Sequence, residues 1–322
     1  MCKVSVIVCT HNPRREYLQR TLSALQNQTL DLSEWEFILV DNASEIQLSS
    51  EWSVNWHPKG RHVREGELGL TAARIKGIKE AQGRLIVFVD DDNVLDSDFL
   101  SNAVEIADSY PHVGVFGSGF IFPEYERLPP PHLQDRSHLL ALRESQQTKW
   151  SNNLTDSGTI PWGAGLCVRV NIAEAYVHLV RRLNVTSALG LRGNKLFYGE
   201  DDLFSWVAVA HRMAFGIFPS LKIKHLISMG RLTEKYFLRL IYGHSYSHVV
   251  LNYMLTGEVP KRESAFRHAA KLVITVLARG VFSARCQHAA CIARMQAMDF
   301  IKSHELQPLR NWRSEAAVAL AV

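Results

Sequence analysis

The sequence predicts an α/β fold, with a mostly parallel sheet covered by helices on both faces. Three observations lead there. Three short apolar runs, at 4–9, 37–40 and 85–89, are separated by segments of helical spacing. Each run is apolar throughout instead of alternating, as strands buried on both faces are. Each also ends abruptly in polar residues: Thr10-His11-Asn12, Asp41-Asn42 and Asp90-Asp91-Asp92. Ligands of open parallel sheets bind beyond the carboxyl ends of the strands, so the three clusters are expected to converge on one site.

The elements follow in order. Tyr17, Leu18, Thr21, Leu22 and Leu25 recur at helical spacing after the first run. Leu70, Ala73, Ile75 and Ile78 do so before the third, with a stop near Gly83. Four prolines between Pro123 and Pro131 predict an extended loop, and the polar stretch 132–160 a mobile segment over the site. Gly199-Glu200-Asp201-Asp202 opens a helix carrying Leu203, Trp206, Val207 and Ala210. Carboxylates in a first turn suit the helix dipole. Residues 215–218 and 221–227 predict two short strands, and the chain reads as helical from Thr233 to about residue 305.

Composition narrows the classes. With 47% hydrophobic and 21% charged residues among 322, the chain is globular and not disordered. A net charge of +4, from 36 basic against 32 acidic residues, is too even for a dedicated nucleic-acid binder, so no nucleic acid is expected. The cysteines Cys2, Cys9, Cys167, Cys286 and Cys291 form no CxxC pair and are irregularly spaced. That argues against a structural zinc site or a disulfide framework, and for free thiols in a reducing compartment. The first apolar run is shorter than the roughly 7–15 residues of a secretory signal core. No stretch reaches the roughly 18 apolar residues of a membrane span. A soluble or peripheral protein is expected, cytoplasmic or at the inner face of the membrane. Asn153-Leu154-Thr155 and Asn184-Val185-Thr186 match the glycosylation pattern and are read as chance.

The aspartate triplet carries the most chemistry. The strand 85–89 delivers Asp90, Asp91 and Asp92 together, and carboxylates this close repel unless a cation or shared proton offsets them. A hard divalent ion prefers such oxygens and bridges to phosphates. The competing reading is a solvated turn before a helix starting at Asp96 or Ser97. Asp41 is either an Asx-turn at its strand end or a ligand group. Arg74 is either a surface helix arginine or a cation facing the carboxylates. Glu200 and Asp201 are either helix caps or a source of general base. His225, at the end of a strand, is either structural or a metal ligand.

Together these residues resemble the family 2 glycosyltransferases, which have the GT-A fold. The likeness runs in order over roughly residues 3 to 245. It begins with Val4-Ser-Val-Ile-Val-Cys-Thr10-His-Asn12 and continues with Leu39-Val-Asp41-Asn-Ala-Ser44, Gly69-Leu-Thr-Ala-Ala-Arg74 and Val87-Phe-Val-Asp90-Asp-Asp92. It closes with Trp162-Gly-Ala-Gly165, Gly199-Glu-Asp201 and His225. The resemblance implies a catalytic domain at 1–232, its nucleotide-sugar half about 1–120 and its acceptor half about 121–232, followed by a helical region at 233–322. It implies that Thr10, Asn12, Asp41, Arg74, Asp90 and Asp91 seat the nucleotide sugar, by the family's habit a UDP-sugar with GDP or dTDP as alternatives, and that Asp92 and His225 hold Mn²⁺ or Mg²⁺. It implies Asp201 as catalytic base with Glu200 beside it, and Trp162 and Gly163 in the sugar and acceptor pocket. The reaction would be an inverting, hexosyl-type transfer to a saccharide or glycolipid hydroxyl, as in envelope polysaccharide synthesis. The loop between Asp41 and Gly69, with Trp52, Trp56 and His57, has no counterpart in the family pattern.

Residues 264–300 mix Arg267, His268, Lys271, Arg279, Arg285 and Arg294 with Ala, Leu, Val and Ile. They read either as a helix packed on the catalytic domain or as a basic amphipathic helix on an anionic membrane surface. Three other functions fit the residues less well. A sugar-phosphate nucleotidyltransferase typically opens with a glycine-rich loop, and none follows the first strand here. A catalytically inactive sugar- or partner-binding homologue has no need of both Asp92 and Asp201. A Rossmann dehydrogenase is disfavoured because no GxGxxG follows a strand.

Overall fold

A computed structural model describes residues 2–183, 191–192, 195–196, 198–304, 306 and 308. The Asn184 pattern and the end of the predicted helical region lie outside the described residues. The strands are β1 (Val4–Thr10), β2 (Trp35–Asn42), β3 (Gly60–Glu65), β4 (Leu85–Asp90), β5 (Asn93–Leu95), β6 (Val113–Tyr125), β7 (Arg143–Glu144), β8 (Lys149–Ser151), β9 (Leu166–Arg169), the small pair β10 (Leu191–Arg192) and β11 (Lys195–Leu196), and β12 (Ala214–Ile227). The helices are α1 (Arg15–Gln26), α2 (Leu48–Glu51), α3 (Leu70–Glu80), α4 (Phe99–Ser109), α5 (Pro131–Gln134), α6 (Val170–Leu183), α7 (Glu200–Ala210), α8 (Glu234–Thr256) and α9 (Ala265–Ser303).

The main sheet has the order β3-β2-β1-β4-β9-β6-β12-β5, with β7 on β6 and β8 on β12. Strands β1 to β4 are mutually parallel, and β9 runs against both β4 and β6. Alternation along each strand sends side chains to two separate cores. Ile7, Ile38, Ile86 and Phe88 face α3, α6, α7 and α8, whereas Val6, Val8, Phe37, Leu39, Val87 and Val89 face α1 and α4. This is why the runs are apolar at every position.

Register places the site. Thr10 lies opposite Asp41, and Cys9 opposite Asp90, so the polar ends of β1, β2 and β4 reach one level of the same edge. On the far side of the sheet, Asn93 pairs with His225 and brings the histidine to the aspartates. The triplet therefore runs into β5 rather than capping a helix, and the next helix begins only at Phe99.

Three expectations are corrected. The two short strands at 215–218 and 221–227 are one strand, β12, with a register shift between Phe218 and Lys222. Pro219 cannot donate to the ladder there, which is where pairing slips. The proline-rich loop is shorter than expected, because β6 runs through Pro123 to Tyr125 and a helical turn starts at Pro131. The polar segment 132–160 is partly anchored, since Leu133 and Leu140 are buried with Ile227, Leu232, Phe237 and Leu240. The C-terminal region is helical as expected, in two helices, and α9 itself breaks at Gly280, where φ is 82°. Contacts between His268 and His288 at 3.0 Å, and between Thr275 and Gln287 at 2.5 Å, show that α9 doubles back there into two arms. The loop after Asp41 packs Trp56 and His57 against Trp35 and Phe37, near the start of β2 and remote from the strand ends.

Phe204 ties α7 to the sheet: fully buried, it stacks on Tyr176 at 3.8 Å between centroids and lies 5.7 Å from Phe88. Phe204→Ala is expected to cost about 3–5 kcal/mol, read as a lower denaturant midpoint at unchanged slope. A loss below about 1 kcal/mol would contradict this packing role.

Candidate active site

A cleft of about 710 Å³ opens at the carboxyl edge of the sheet, between the ends of β1 and β4, the first turns of α3 and α7, and α8. Of the residues singled out from sequence, Thr10, Arg74, Asp90, Asp91, Asp92, Trp162, Gly163, Glu200, Asp201 and His225 line it. Asn12 and Asp41 do not. Asn12 is exposed, and its backbone and side chain hold Ser44 and Glu45. Asp41 accepts the backbone N–H groups of Ser44 and Leu48 at 2.9 and 3.2 Å and an Arg64 hydrogen bond at 2.6 Å. Burial alone would raise its pKa, but these donors hold it below the ordinary carboxylate value. It orders the strand-end turn next to the cleft.

Arg74 is the hub. It is 2% exposed, on the buried side of α3. Its guanidinium lies 2.9 Å from Asp201, 3.5 Å from Glu200 and 3.8 Å from Asp90, and 5.1 Å from the centroid of the Phe88 ring. Burial disfavours its charge, but the surrounding carboxylates outweigh burial and raise its pKa. Asp201 is completed from the other side by the Gly163 N–H at 2.8 Å, and Glu200 accepts from Thr71 Oγ1 at 3.1 Å. Glycine at 163 suits this approach, since a Cβ there would stand 2.7 Å from Arg74 Nη2 and 2.9 Å from Asp201 Oδ1 and would push these two groups aside. Asp201 still keeps 30% of its side chain exposed to the cleft.

The second cation is Arg231, which the sequence reading did not single out. It follows β12 in a short 3-10 turn and lies 2.7 Å from Asp92 and 2.8 Å from His225 Nε2. Asp92 and His225 are 3.6 Å apart. Burial would raise the Asp92 pKa, but Arg231 and His225 overcome it and hold the carboxyl well below its ordinary value. Because Arg231 donates to Nε2, His225 carries its proton on Nδ1, which is buried without a hydrogen-bond partner. The only sequence signal for Arg231 was its position six residues past a strand-end histidine.

The charge is unbalanced. Asp90, Asp91, Asp92, Glu200, Asp201 and Asp202 line the cleft, against the guanidiniums Arg74 and Arg231 among the described residues. Asp91 is pushed up to about 7 by burial and by Asp92, despite the Thr10 hydroxyl that donates to it. Asp202 is pushed up to about 6 by burial and by Asp201. Asp90 and Glu200 are also raised, by burial first, with Arg74 opposing. Oxygen donors in excess of cations, beside a histidine whose Nε2 lone pair lies 3.6 Å from Asp92, fit a divalent metal. A metal held by Asp92 and His225 must displace Arg231 from both. At the outer rim Tyr198 and His244 stack with centroids 3.8 Å apart, and Arg143 lies 3.9 Å over the Trp162 ring.

Residues 5–164 match the family model described as Glycosyl transferase family 2. A stretch of 113 residues is 27% identical to the poly(ribitol-phosphate) beta-N-acetylglucosaminyltransferase TarS of Staphylococcus aureus, covering 34% of this chain and 20% of that protein. Another of 101 residues is 33% identical to the cholesterol galactosyltransferase of Borreliella burgdorferi, covering 30% of this chain and 27% of that protein. The matches thus span under a third of each relative's length. The mannosyltransferase PcManGT from Pyrobaculum calidifontis, solved with GDP-Man and Mn²⁺, superposes over 99% of this chain and 85% of its own, with TM-score 0.53 at 17% identity. The architecture is the GT-A fold, and through its residues 5–164 the chain belongs to glycosyl transferase family 2.

Proposed function

We propose that this chain is a metal-dependent, inverting glycosyltransferase that moves a sugar from a nucleoside diphosphate sugar, of which a UDP-sugar is the first choice, to a saccharide or glycolipid hydroxyl. The observation that carries the proposal is the union of Asp90–Asp92 with Glu200–Asp201 in one cleft, through the buried Arg74. Thr10, Arg74, Asp90 and Asp91 face the donor, while Asn12 and Asp41 shape the turn beside it. Asp92 and His225 bind Mn²⁺ or Mg²⁺, the cations that hard oxygen donors with one imidazole take; the PcManGT complex holds Mn²⁺ with GDP-Man. Bound there, a divalent ion neutralises charge on the departing diphosphate. Trp162 and Gly163 wall the sugar and acceptor pocket.

Asp201 is the base. Its Oδ1 is held by Arg74 and its Oδ2 by the Gly163 N–H, so the carboxylate is fixed in orientation before substrate arrives. Its exposed part accepts the acceptor's hydroxyl proton as the oxygen attacks the anomeric carbon. The bond to the diphosphate breaks in the same displacement, which inverts the centre. Glu200, pinned by Thr71 and Arg74, supports the Asp201 position.

The exposed face of α9 supports an acceptor at a membrane surface. The returning arm of α9 packs on the body through Ala293, Ala297, Met298 and Ile301. The outgoing arm, 265–279, leaves Phe266, Val273, Ile274 and Leu277 exposed, with Val281 just beyond it. Their spacing puts most of them on one helical face. Arg267 and Lys271, both exposed, lie toward one side of that face, which suits an anionic lipid surface. No helix among the described residues is long and apolar enough to cross a membrane.

Two outcomes are expected. Asp201→Asn retains the donor-induced thermal shift and loses transfer by about 10²–10⁴-fold in kcat; near-normal turnover would remove Asp201 as base. The full chain floats with liposomes containing acidic lipid and fails to float with neutral ones or as Leu277→Glu. Equal recovery of the wild type and Leu277→Glu would remove the membrane contact.

A further inference from the structure

The fold of α9 brings together a second cluster of metal-ligating groups, far in sequence from the aspartates. Glu263 immediately precedes the Ser264 cap of α9, His268 lies in the outgoing arm, and Cys291 in the returning arm. Glu263 Oε2 is 3.4 Å from His268 Nδ1 and 3.9 Å from Cys291 Sγ. All three donor atoms lie within 4.8 Å of one another. A tetrahedral zinc ion, with bonds of about 2.0–2.2 Å to oxygen and nitrogen and about 2.3 Å to sulfur, separates such donors by roughly 3.4–3.6 Å. The observed spacing therefore leaves room for an ion with small side-chain adjustments.

The surroundings prepare each ligand. His268 Nδ1 is buried and has no hydrogen-bond partner among the described residues. Its other nitrogen, Nε2, is 3.0 Å from His288 Nδ1 on the returning arm, and the rings stack with centroids 5.3 Å apart. An Nε2–H donated to His288 fixes the tautomer that leaves Nδ1 as a lone pair, the arrangement that orients metal-bound histidines. Lys271 takes the other carboxylate oxygen, Oε1, at 2.5 Å, so that Oε2 is the one turned toward His268 and Cys291. Cys291 is 5% exposed, and its thiol faces this carboxylate rather than solvent. A thiolate with an imidazole selects a soft or borderline ion and disfavours Mg²⁺ or Ca²⁺.

We propose that Glu263, His268 and Cys291 bind a zinc ion that clips together the two arms of α9, with His288 orienting His268. Binding displaces the Cys291 thiol proton to solvent and leaves one tetrahedral position for water. The clip secures the open end of the hairpin, opposite the Gly280 turn. It is independent of the cleft and of the glycosyl-transfer reading.

Titration of the full chain with Co²⁺, a spectroscopic stand-in for Zn²⁺, tests this. One equivalent is expected to bind with a near-ultraviolet thiolate-to-cobalt band that Zn²⁺ abolishes. The band is absent in Cys291→Ser and present in Asp92→Asn, which separates this site from the cleft. His288→Ala is expected to weaken binding about 10–100-fold. Glu263→Gln, at a side chain 21% exposed, weakens it at least about tenfold while the thermal unfolding of the metal-free chain stays unchanged, so loss of fold is not the explanation. Absence of the band in the wild type, its persistence in Cys291→Ser, or unchanged affinity in Glu263→Gln overturns the proposal.

Discussion

The cleft depends on one buried guanidinium. Arg74 is enclosed by Asp90, Glu200 and Asp201, which come from β4 and α7, while Arg74 itself comes from α3. Each partner would be costly to bury alone, and together they offset one another. The arrangement also suits glycine at 163, since a Cβ beside the Gly163 N–H that meets Asp201 would displace Arg74 and Asp201 from each other. Without Arg74 the carboxylates of β4 and α7 would repel across the cleft, and nothing else among the described residues on that side carries positive charge.

The same arithmetic leads to function. Two guanidiniums do not balance six carboxylates in a buried cleft, and Asp90, Asp91, Glu200 and Asp202 are all raised. The unbalanced charge lies where the strand ends and the first turn of α3 leave space. A divalent cation with a diphosphate suits that place better than either alone, because the metal offsets the carboxylates and the phosphates offset the metal. Arg231 adds a cation that contacts both groups proposed to hold the metal, so a metal held there would have to move Arg231 away.

Much of this was legible in the sequence, for a physical reason. Strands of a parallel sheet covered on both faces must be apolar throughout, so their polar ends stand out, and parallel register brings Thr10, Asp41 and Asp90 to one level. What the sequence left out depended on partners chosen in three dimensions. Asp41 belongs to the right edge yet is occupied by Arg64 and two backbone amides. Arg231 enters the cleft only because β12 pairs with β5 and carries its following turn there. The strand β6 was hidden by Gly114, Gly117, Gly119 and Pro123, which weaken any strand signal. The Glu263–His268–Cys291 cluster lacks the close cysteine spacing that marks zinc sites in sequence, because the hairpin at Gly280, and not proximity along the chain, gathers it.

The central claim is that the Arg74 cleft binds a nucleoside diphosphate through a metal. Thermal unfolding with UDP, GDP, dTDP and CDP, each with Mn²⁺ or with chelator, tests it most directly. Ligand at about a hundred times its dissociation constant stabilises by roughly 2.7 kcal/mol. One nucleotide is expected to raise the unfolding temperature by several degrees with Mn²⁺, and by far less with chelator or in Asp92→Asn. No shift with any nucleotide, or a shift indifferent to both metal and Asp92, would contradict the account.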